Sequence, residues 1–475
     1  MRTVSVNKLS EFPSVDERTV NLVLEKALKQ QRRKIVVLDD DPTGVQTVHG
    51  VYVYTDWSED TLKDAFAQDD GMFFVLTNSR GMTMEETANV HREIARNLAA
   101  AAAETQKDYI IVSRSDSTLR GHYPLETAIL REETERLTGK RFNGEIIYPF
   151  FPEGGRYTFD NIHYVREGDM LIPAGQTEFA KDKSFGYAAS DLTRWIEEKT
   201  TGSVSRDEVM AISMEELRAC DFYKITEKLL AVKNFGKIIV NSIGYEDVKV
   251  FAAAFCQAVM QGGEYIFRCA AGLPKVLGGV ADKALLTKGE LVAPGVTNGG
   301  IVLIGSHVNK TTAQLNDLRQ SRYPIVFHEF NQHRVLEDGG LEEEVSCAVS
   351  LAEDNIRQGK TVVVYTKRER LDLDTDDKDK QLEISVKISD AVTSVIGNLT
   401  VQPSFIIAKG GITSSDVGVK ALRVKRAEVL GQVRPGIPVW KTGAESKFPH
   451  IPYIIFPGNV GAVDDLRVVV ETVMQ

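Results

Sequence analysis

The sequence predicts an α/β protein with two domains, each built on a mostly parallel sheet flanked by helices. Short runs rich in Val, Ile and Phe alternate with amphipathic runs along the whole chain. Most of the short runs are continuously apolar, which is typical of parallel strands covered on both faces. The length of 475 residues suits two or three domains of ordinary size.

Seven strand candidates make up the first half of the chain, with helical segments between them. Thr83 with Glu86 forms a T-x-x-E capping box, and Ser213 with Glu216 forms an S-x-x-E box. These boxes predict two helix starts, and Asp247 opens a third helix. The strand candidates are KIVVLD at 34–39, VYVYT at 51–55, MFFVL at 72–76, YIIVS at 109–113, EIIY at 145–148, KIIVN at 237–241 and EYIFR at 264–268.

A glycine-rich stretch at 273–300 interrupts this alternation, and its second part is typical of a linker. The charge-rich segment 367–380 is typical of a solvated loop. We therefore expect an N-terminal domain over residues 1–280, a linker over 281–300 and a C-terminal domain over 301–475. The later strand candidates are IVLIG at 301–305, PIVFHE at 324–329, VVVYT at 362–366, SFIIA at 404–408 and YIIF at 453–456.

The charge balance and the cysteines exclude several classes of protein. With 57 basic and 67 acidic residues the net charge is −10, which argues against a dedicated nucleic-acid binder. The 4 cysteines form no CxxC pair, and no segment is apolar enough for a signal peptide or a membrane helix. We expect a cytoplasmic protein that binds neither nucleic acid nor a membrane. A homodimer is the default expectation for its assembly.

Polar side chains follow the strand candidates of the first half, where open α/β sheets bind ligands. A single Ser, Thr or Asp here is more often a turn or a helix cap than a ligand-binding group. Several arginines beside a sheet are harder to explain without an anionic partner, and their forks suit a carboxylate or a phosphate. Asp40 and Asp41 could accept a proton from a hydroxyl or hold a divalent cation. The residues expected at this edge are Asp40, Asp41, Thr43, Asn78, Arg80, Arg114, Asp116, Ser117, Thr118, Arg120, His122 and Arg156.

The corresponding positions of the second half are rich in Gly, Ser and Thr. Three strand candidates end in such turns, SHVNKTT at 306–312, KGGITSS at 409–415 and PGNVG at 457–461, and each turn precedes a helical pattern. Free N–H groups and the positive end of the helix dipole meet there and suit phosphate oxygens. Each turn alone is more often an ordinary capped βα turn. Three of them in one domain favour a nucleotide site.

Other common signatures are missing. No G-x-G-x-x-G follows a strand candidate, which weakens the case for a nicotinamide dehydrogenase. The GKT at 359–361 lacks the first glycine of a P-loop and precedes a strand instead of a helix. Neither H-E-x-x-H nor G-x-S-x-G occurs.

Six blocks in order, from about residue 34 to residue 466, closely resemble the four-carbon acid sugar kinase family. The resemblance implies a sugar-acid-binding N-terminal domain and a nucleotide-binding C-terminal domain. Members phosphorylate tetronates such as threonate and erythronate, or 3-oxo-tetronates, with ATP. The blocks are DDDPTG, SRSDSTLRGHYPLE, PFFPEGGR, IGSHVNKTTAQL, AKGGITSSDV and PGNVGAVDDL.

Carried over residue by residue, the resemblance implies roles for both halves. The catalytic candidates are Asp40, Asp41 and Asp116, and the sugar-acid-binding candidates are Thr43, Arg80, Arg114, Ser117, Arg120 and Arg156. The nucleotide-binding candidates are Ser306, Gly410, Gly411, Ile412, Thr413, Gly458 and Gly461.

The expected activity is ATP-dependent phosphorylation, with Mg²⁺, of a terminal hydroxyl on a short sugar acid, which makes the protein a carbohydrate-acid kinase. The residues that would bind Mg²⁺ are left open. Three departures from the family pattern also leave the substrate open: Arg114 stands where Lys is common, His307 replaces a small residue, and an N-terminal extension and the acidic segment 371–380 lengthen the chain. The alternatives are a hydroxy-acid dehydrogenase and a non-catalytic sugar-acid-binding protein.

Overall fold

The computed structural model describes residues 2–369, 371, 378–458 and 460–474. The chain forms two compact units. Unit 1 comprises Met1–Val48 and Asp56–Asp282, and unit 2 comprises His49–Thr55 and Lys283–Gln475. Half of the segment 367–380, for which we predicted a loop, lies outside the described residues, and its last three residues, 378–380, are helical.

The strands and helices alternate along the chain as the sequence predicts. The strands are β1 (Val4–Ser5), β2 (Lys34–Asp39), β3 (Val51–Tyr54), β4 (Met72–Leu76), β5 (Tyr109–Arg114), β6 (Gly144–Tyr148), β7 (Arg156–Phe159), β8 (Ile162–Glu167), β9 (Met170–Pro173), β10 (Met210–Ile212), β11 (Gly236–Val240), β12 (Tyr265–Cys269), β13 (Ile301–Ile304), β14 (Ile325–Phe330), β15 (Thr361–Thr366), β16 (Ile406–Lys409), β17 (Arg426–Arg434), β18 (Ile437–Thr442) and β19 (Pro452–Phe456). The helices are α1 (Glu17–Gln30), α2 (Glu59–Ala67), α3 (Met84–Thr105), α4 (Leu125–Thr138), α5 (Leu192–Lys199), α6 (Met214–Arg218), α7 (Phe222–Ala231), α8 (Tyr245–Met260), α9 (Gly272–Leu277), α10 (Lys288–Leu291), α11 (Asn309–Leu318), α12 (Gly340–Arg357), α13 (Lys378–Asn398), α14 (Gly411–Asp416) and α15 (Asp465–Met474).

Unit 1 is built on a parallel sheet with the strand order β10-β11-β6-β12-β5-β2-β4. Its central strands β2, β4, β5 and β6 are buried along their whole length, as their continuously apolar sequences predict. Strands β1, β9, β8 and β7 form a separate antiparallel sheet. The predicted capping boxes of Thr83 and Ser213 form at the N-termini of α3 and α6.

Unit 2 is built on a mixed sheet. Strands β19, β16, β13, β15 and β14 are parallel, and β3, β17, β18 and β19 pair antiparallel in that order. Its apolar core includes Val302, Ile407 and Ile454 from three adjacent parallel strands, together with Val469 from α15. Because both units are mostly parallel sheets flanked by helices, the predicted fold class is confirmed.

Two segments have surroundings that the sequence reasoning did not foresee. We placed residues 51–55 in the N-terminal domain, but β3 pairs with β17 in unit 2, where Val51 lies opposite Val429. In the expected linker 281–300, α10 forms, and Leu286 and Leu291 are buried in the core of unit 2. Apolar side chains thus bring both segments into unit 2.

Within the residues described above, no helix combines the length and the apolar composition needed to cross a membrane.

Candidate functional site

The carboxyl ends of three adjacent parallel strands bring the first predicted residues together. Asp40 follows β2, Arg80 follows β4 and Arg114 ends β5. Backbone bonds continue the ladders just beyond the strands: the Thr77 N–H donates to the Asp39 carbonyl at 2.8 Å, and the Asp40 N–H donates to the Arg114 carbonyl at 3.2 Å. The loops after these strands therefore start from one edge of the sheet.

Asp40 is the centre of this cluster. The Arg80 guanidinium donates two hydrogen bonds to its carboxylate, Nε to Oδ2 at 3.0 Å and Nη2 to Oδ1 at 2.5 Å. Arg114 Nη1 also donates to Asp40 Oδ1, at 3.3 Å. The Asp40 residue is 3% exposed and Arg114 is 4% exposed. Both oxygens of Asp40 are therefore occupied by arginines in a buried setting.

Asp39, which was not among our candidates, is part of the same network. It accepts from Arg114 Nη1 at 3.0 Å and is buried. Burial raises the pKa of Asp39 to about 7, and the neighbouring Asp40 charge adds to this, although the Arg114 charge opposes it. A Cβ on Gly44 would lie 1.9 Å from Asp39 Oδ2, so the DDDPTG turn needs glycine there. Asp39 is the first Asp of the DDD run, which was the available signal for it.

Asp41 is the most accessible carboxylate next to Asp40, with 18% of its side chain exposed. Its Oδ1 accepts from the Thr43 N–H at 2.8 Å and from the Thr43 hydroxyl at 2.6 Å. Arg80 Nη1 lies 3.3 Å from Oδ2. Burial would raise the pKa of Asp41, but Arg80 and the Thr43 hydroxyl outweigh it and hold the pKa below the ordinary value. Asp41 is therefore ionised at neutral pH.

Asp116 holds the loop after β5. Its Oδ2 accepts from the Thr118 hydroxyl, from the Thr118 N–H at 3.2 Å and from Arg120 Nε at 2.9 Å. Arg80 Nη1 lies 3.9 Å from Oδ1. Burial alone would raise the pKa of Asp116, but Arg80 and Arg120 outweigh it and hold the pKa far below the usual range. Asp116 is thus an ionised link between two arginines.

Ser117 is buried on the same loop, and a histidine that we had not selected contacts it. His163 on β8 donates from Nε2 to the Ser117 carbonyl at 2.8 Å, and its Nδ1 lies 2.9 Å from the Thr158 hydroxyl. Burial lowers the pKa of His163 to about 4, so the ring is neutral at pH 7. His163 therefore positions the loop. It lies outside the sequence blocks and the strand-end loops, so the sequence gave no signal of this role.

Arg156 differs from the other arginines of the site. Among the described residues, no carboxylate lies within 4.0 Å of its guanidinium, and its buried Nε has no hydrogen-bond partner. Its Nη1 donates to the Gly154 carbonyl. Burial lowers the pKa of Arg156, but an arginine remains charged at neutral pH. Arg156 therefore carries a positive charge that the protein leaves without a carboxylate.

Two other candidates of this edge take structural positions. Asn78 has a left-handed backbone, with φ 56°, and precedes the turn that carries Arg80. His122 donates from Nε2 to the Met82 carbonyl at 3.0 Å. Direct contacts thus join Asp40, Asp41, Thr43, Arg80, Arg114, Asp116, Thr118 and Arg120 into one network.

The glycine-rich turns of unit 2 also converge. They follow β13, β16 and β19, which are neighbours in the sheet. A Cβ on Gly458 would lie 3.0 Å from Ser306 Oγ, and one on Gly410, where φ is 130°, would lie 3.3 Å from Ser306 Cβ. The Thr311 hydroxyl lies 3.1 Å from both Ser306 Oγ and the Gly458 carbonyl. The three turns therefore share one small space that only glycine backbones leave open.

The remaining nucleotide-binding candidates lie on the same turns. Gly411 begins α14, Thr413 is buried, and the Ile412 side chain is exposed, with 72% of its surface accessible. Gly461, with φ 86°, lies further along the third turn, where its Cβ would meet Asp465 Oδ2 at 2.8 Å. Ile412 is an apolar side chain left open to a ligand at the edge of these turns.

Two basic residues near these turns were not among the candidates selected from the sequence. Lys409 is buried, and its Nζ donates to the Pro457 carbonyl at 2.8 Å. Burial lowers the pKa of Lys409 to about 7, and the charge of Lys310 adds to this. Arg368 Nη2 donates to the Ser306 carbonyl at 2.7 Å. Lys409 directly precedes the GG pair of KGGITSS, which was the available signal.

Among the residues with described positions, no group of three or more His, Cys, Asp or Glu side chains is arranged to hold a metal ion. In unit 1, the carboxylates that could serve are engaged by arginines instead. The sequence left the Mg²⁺ ligands open, and the described residues include no preformed cluster that would identify them.

Comparisons with known proteins match two family models to the chain, one in each half. The family model of a sugar-binding N-terminal domain matches residues 35–277. The family model of a nucleotide-binding C-terminal domain matches residues 301–466. A search of the curated proteins finds no match.

Two solved structures have a similar fold. The Haemophilus influenzae protein HI1011, of the DUF1537 family, is 17% identical with a TM-score of 0.58, covering 92% of this chain and 100% of that one. A Salmonella typhimurium LT2 protein, named as a proposed tRNA synthase, is 14% identical with a TM-score of 0.65, covering 92% and 98%. At such low identity the similarity concerns the fold alone.

The buried Asp39 predicts a pH-dependent effect of its replacement. The pKa of Asp39 is raised in the folded state, so the folded chain holds a proton that the unfolded chain has lost between about pH 4 and pH 7. The contribution of Asp39 to stability therefore falls as pH rises through this window. Between pH 4 and pH 8 the free energy of unfolding of Asp39→Asn, measured with urea, should rise relative to that of the wild type by up to about 4 kcal/mol. A stability difference that does not change with pH would contradict the shift.

The close packing of Gly458 predicts a selective loss of nucleotide affinity. In Gly458→Ala the new methyl group would press on Ser306 Oγ at 3.0 Å and fill the space shared by the turns. We expect ATP to bind about tenfold more weakly, a change of about 1.4 kcal/mol, measured by titration calorimetry. The control is Gly289→Ala, where a Cβ meets nothing within 4 Å. Equal affinities in the two variants would exclude Gly458 from the nucleotide site.

Proposed function

Because the chain belongs to the family that joins a sugar-binding N-terminal domain to a nucleotide-binding C-terminal domain, the four-carbon acid sugar kinase architecture, we propose that it is an ATP-dependent kinase of short sugar acids. The acceptor is a terminal hydroxyl of a tetronate or a 3-oxo-tetronate. The observation that carries this proposal is Arg156, a half-buried cation with a buried, unpaired Nε and no carboxylate within 4.0 Å among the described residues, beside a network of matched Asp–Arg pairs. A small anion would complete its pairing.

The carboxylate of the substrate pairs with Arg156 and Arg120 in this proposal. Among the described residues, Arg156 has no carboxylate within 4.0 Å. Arg120 donates closely to Asp116 only from Nε, at 2.9 Å, while its Nη2 lies 3.4 Å from Asp116 Oδ1 and its Nη1 lies 3.6 Å from Asp182 Oδ2. Planar guanidinium groups suit a carboxylate because they donate two parallel hydrogen bonds. Arg80 donates to Asp40 from both Nε and Nη2. We therefore assign Arg80 to the support of the aspartates and not to the clamp, by which we mean the pair Arg120 and Arg156 that binds the substrate carboxylate.

Asp41 orients the attacking hydroxyl and accepts its proton. Asp40 has both oxygens occupied, whereas Asp41 Oδ2 has only the 3.3 Å contact with Arg80 and is partly accessible. The low pKa of Asp41 makes it a weak base, but phosphoryl transfer depends mainly on positioning and charge stabilisation. The hydroxyl oxygen bonds to the γ-phosphorus of ATP, the bond from that phosphorus to the β–γ bridging oxygen breaks, and ADP leaves.

The phosphates of ATP bind at the turns after β13, β16 and β19. Ser306, Gly410 and Gly458 surround a space that a Cβ would fill, as a close phosphate contact requires. Mg²⁺ accompanies ATP, since this ion is commonly bound by substrate phosphates with few protein ligands, and it would neutralise phosphate charge. Arg368, which contacts the Ser306 carbonyl, adds positive charge near these turns, and Lys409 adds to it in its protonated form.

The direct test is an ADP-release assay with erythronate, threonate and the 3-oxo-tetronates as acceptors. ADP release that depends on one of these acids supports the kinase. A thermal-shift screen separates the alternatives, because NAD would stabilise a dehydrogenase, and the acid but not ATP·Mg would stabilise a non-catalytic binding protein. Either of those patterns, without acid-dependent ADP release, would overturn the proposal.

Replacement of the proposed base should abolish most of the turnover. Asp41→Asn keeps the shape of the side chain but removes the charge, so kcat should fall by about a hundredfold or more. ATP affinity should stay at the wild-type value, because Asp41 belongs to unit 1 and the glycine turns to unit 2. The control is Asp60→Asn on α2, whose carboxylate is 99% exposed. Normal turnover in Asp41→Asn would remove Asp41 from the reaction.

Replacement of the unpaired arginine should act on acid binding. In Arg156→Gln the charge that faces the substrate carboxylate is lost, and KM for the acid should rise by about tenfold or more. KM for ATP should not change. The matched control is Arg194→Gln, which removes an exposed arginine of the same unit. If KM for the acid stays the same, the clamp is wrong.

A further inference from the structure

Phe179 contacts both arginines of the proposed clamp. Its ring centroid lies 5.2 Å from the guanidinium carbon of Arg120 and 5.4 Å from that of Arg156. It lies on a short 3₁₀ turn, Glu178–Lys181, that follows β9. Neither the strand-end pattern nor the sequence blocks pointed to this residue, because it belongs to a connecting segment.

The segment that carries Phe179 is fixed to the loop of Asp116. The Tyr187 N–H donates to the Ala180 carbonyl at 3.0 Å, and the Tyr187 hydroxyl donates to the Thr118 carbonyl at 2.6 Å. Asp182 Oδ2 lies 3.6 Å from Arg120 Nη1. Phe179 is thus held against the arginines by contacts on both sides of it in the chain.

An aromatic ring suits this position for a physical reason. Two guanidinium groups near each other repel, and the electron-rich face of a ring attracts each of them. The ring accepts no strong hydrogen bond, so it occupies none of the N–H groups of the arginines. A carboxylate in place of the ring would pair with the same N–H groups and compete with an acid substrate.

We propose that Phe179 is a positioning residue that holds Arg120 and Arg156 side by side as a two-arginine receptor for the carboxylate of the sugar acid. This inference rests on the proposed function, because it names the element that sets acid recognition at the same site. It adds the 3₁₀ turn Glu178–Lys181 to the parts of the protein that decide which acids bind.

The test compares three variants with the wild-type enzyme. Phe179→Leu keeps an apolar side chain but removes the ring face, and Phe179→Tyr restores the ring. The control, Phe185→Leu, removes a ring of the same segment that lies 4.9 Å from the His122 ring. Binding of erythronate and threonate is measured by titration calorimetry, and KM and kcat are measured for whichever acid is phosphorylated.

We expect Phe179→Leu to bind the acid about tenfold more weakly and to raise KM for the acid by a similar factor. The kcat and the KM for ATP should stay at the wild-type values, and Phe179→Tyr and Phe185→Leu should behave as the wild type. Equal acid affinity in Phe179→Leu and the wild type would overturn the inference. So would an equal loss in Phe179→Leu and Phe185→Leu, which would indicate a general disturbance of the segment.

The failure of the kinase proposal can be told apart from the failure of this inference. A wild-type protein that binds the acid but releases no ADP would contradict the kinase, and the affinity ratio would still decide the role of Phe179. A wild-type protein that phosphorylates the acid, with no change in Phe179→Leu, would contradict only the inference. A wild-type protein that neither binds nor phosphorylates any of erythronate, threonate and the 3-oxo-tetronates would overturn both.

Discussion

The buried pairing of Asp39 and Asp40 with Arg80 and Arg114 is the constraint on which the sugar-binding unit depends. Buried charges are tolerated only when each has a partner, and the loss of one partner of such a pair costs about 3–5 kcal/mol. Three parallel strands supply these partners because their carboxyl ends meet at one edge. The loops that continue from this edge, with Asp41 and Asp116, are therefore fixed before any ligand binds. In such a matched network Arg156 stands out, since its charge has no carboxylate among the described residues.

The two units offer different kinds of groups to anionic ligands. In unit 1, charged side chains provide the recognition, and carboxylates hold the arginines in place. In unit 2, the turns at Ser306, Gly410 and Gly458 bring backbone groups together, and the lack of side chains makes the space. The first arrangement suits a small ligand whose carboxylate needs planar partners. The second suits phosphate oxygens, which accept hydrogen bonds from backbone N–H groups.

The sequence predicted the parallel strands and the residues at their ends well, because a continuously apolar run followed by polar loop residues is a local pattern. It did not predict β17, whose alternating burial places Arg, Glu and Gln on the less buried face. It also missed Phe179 and His163, since each acts through contacts with residues far away in the chain. The place of β3 in unit 2 depends on pairing with β17, and no local pattern reports such pairing. The family resemblance is confirmed by the two family models.

The position of β3 also affects how the chain is made. This strand is synthesised early, yet its partner β17 comes near the end of the chain, after the rest of unit 1. On a ribosome, β3 therefore emerges long before the strand of unit 2 with which it pairs, while the strands of unit 1 that flank it in sequence can already pair. Its apolar residues Val51 and Val53, buried in the finished protein, would be open to other chains in that interval. A single cut near residue 282 would likewise produce a C-terminal fragment without its own edge strand.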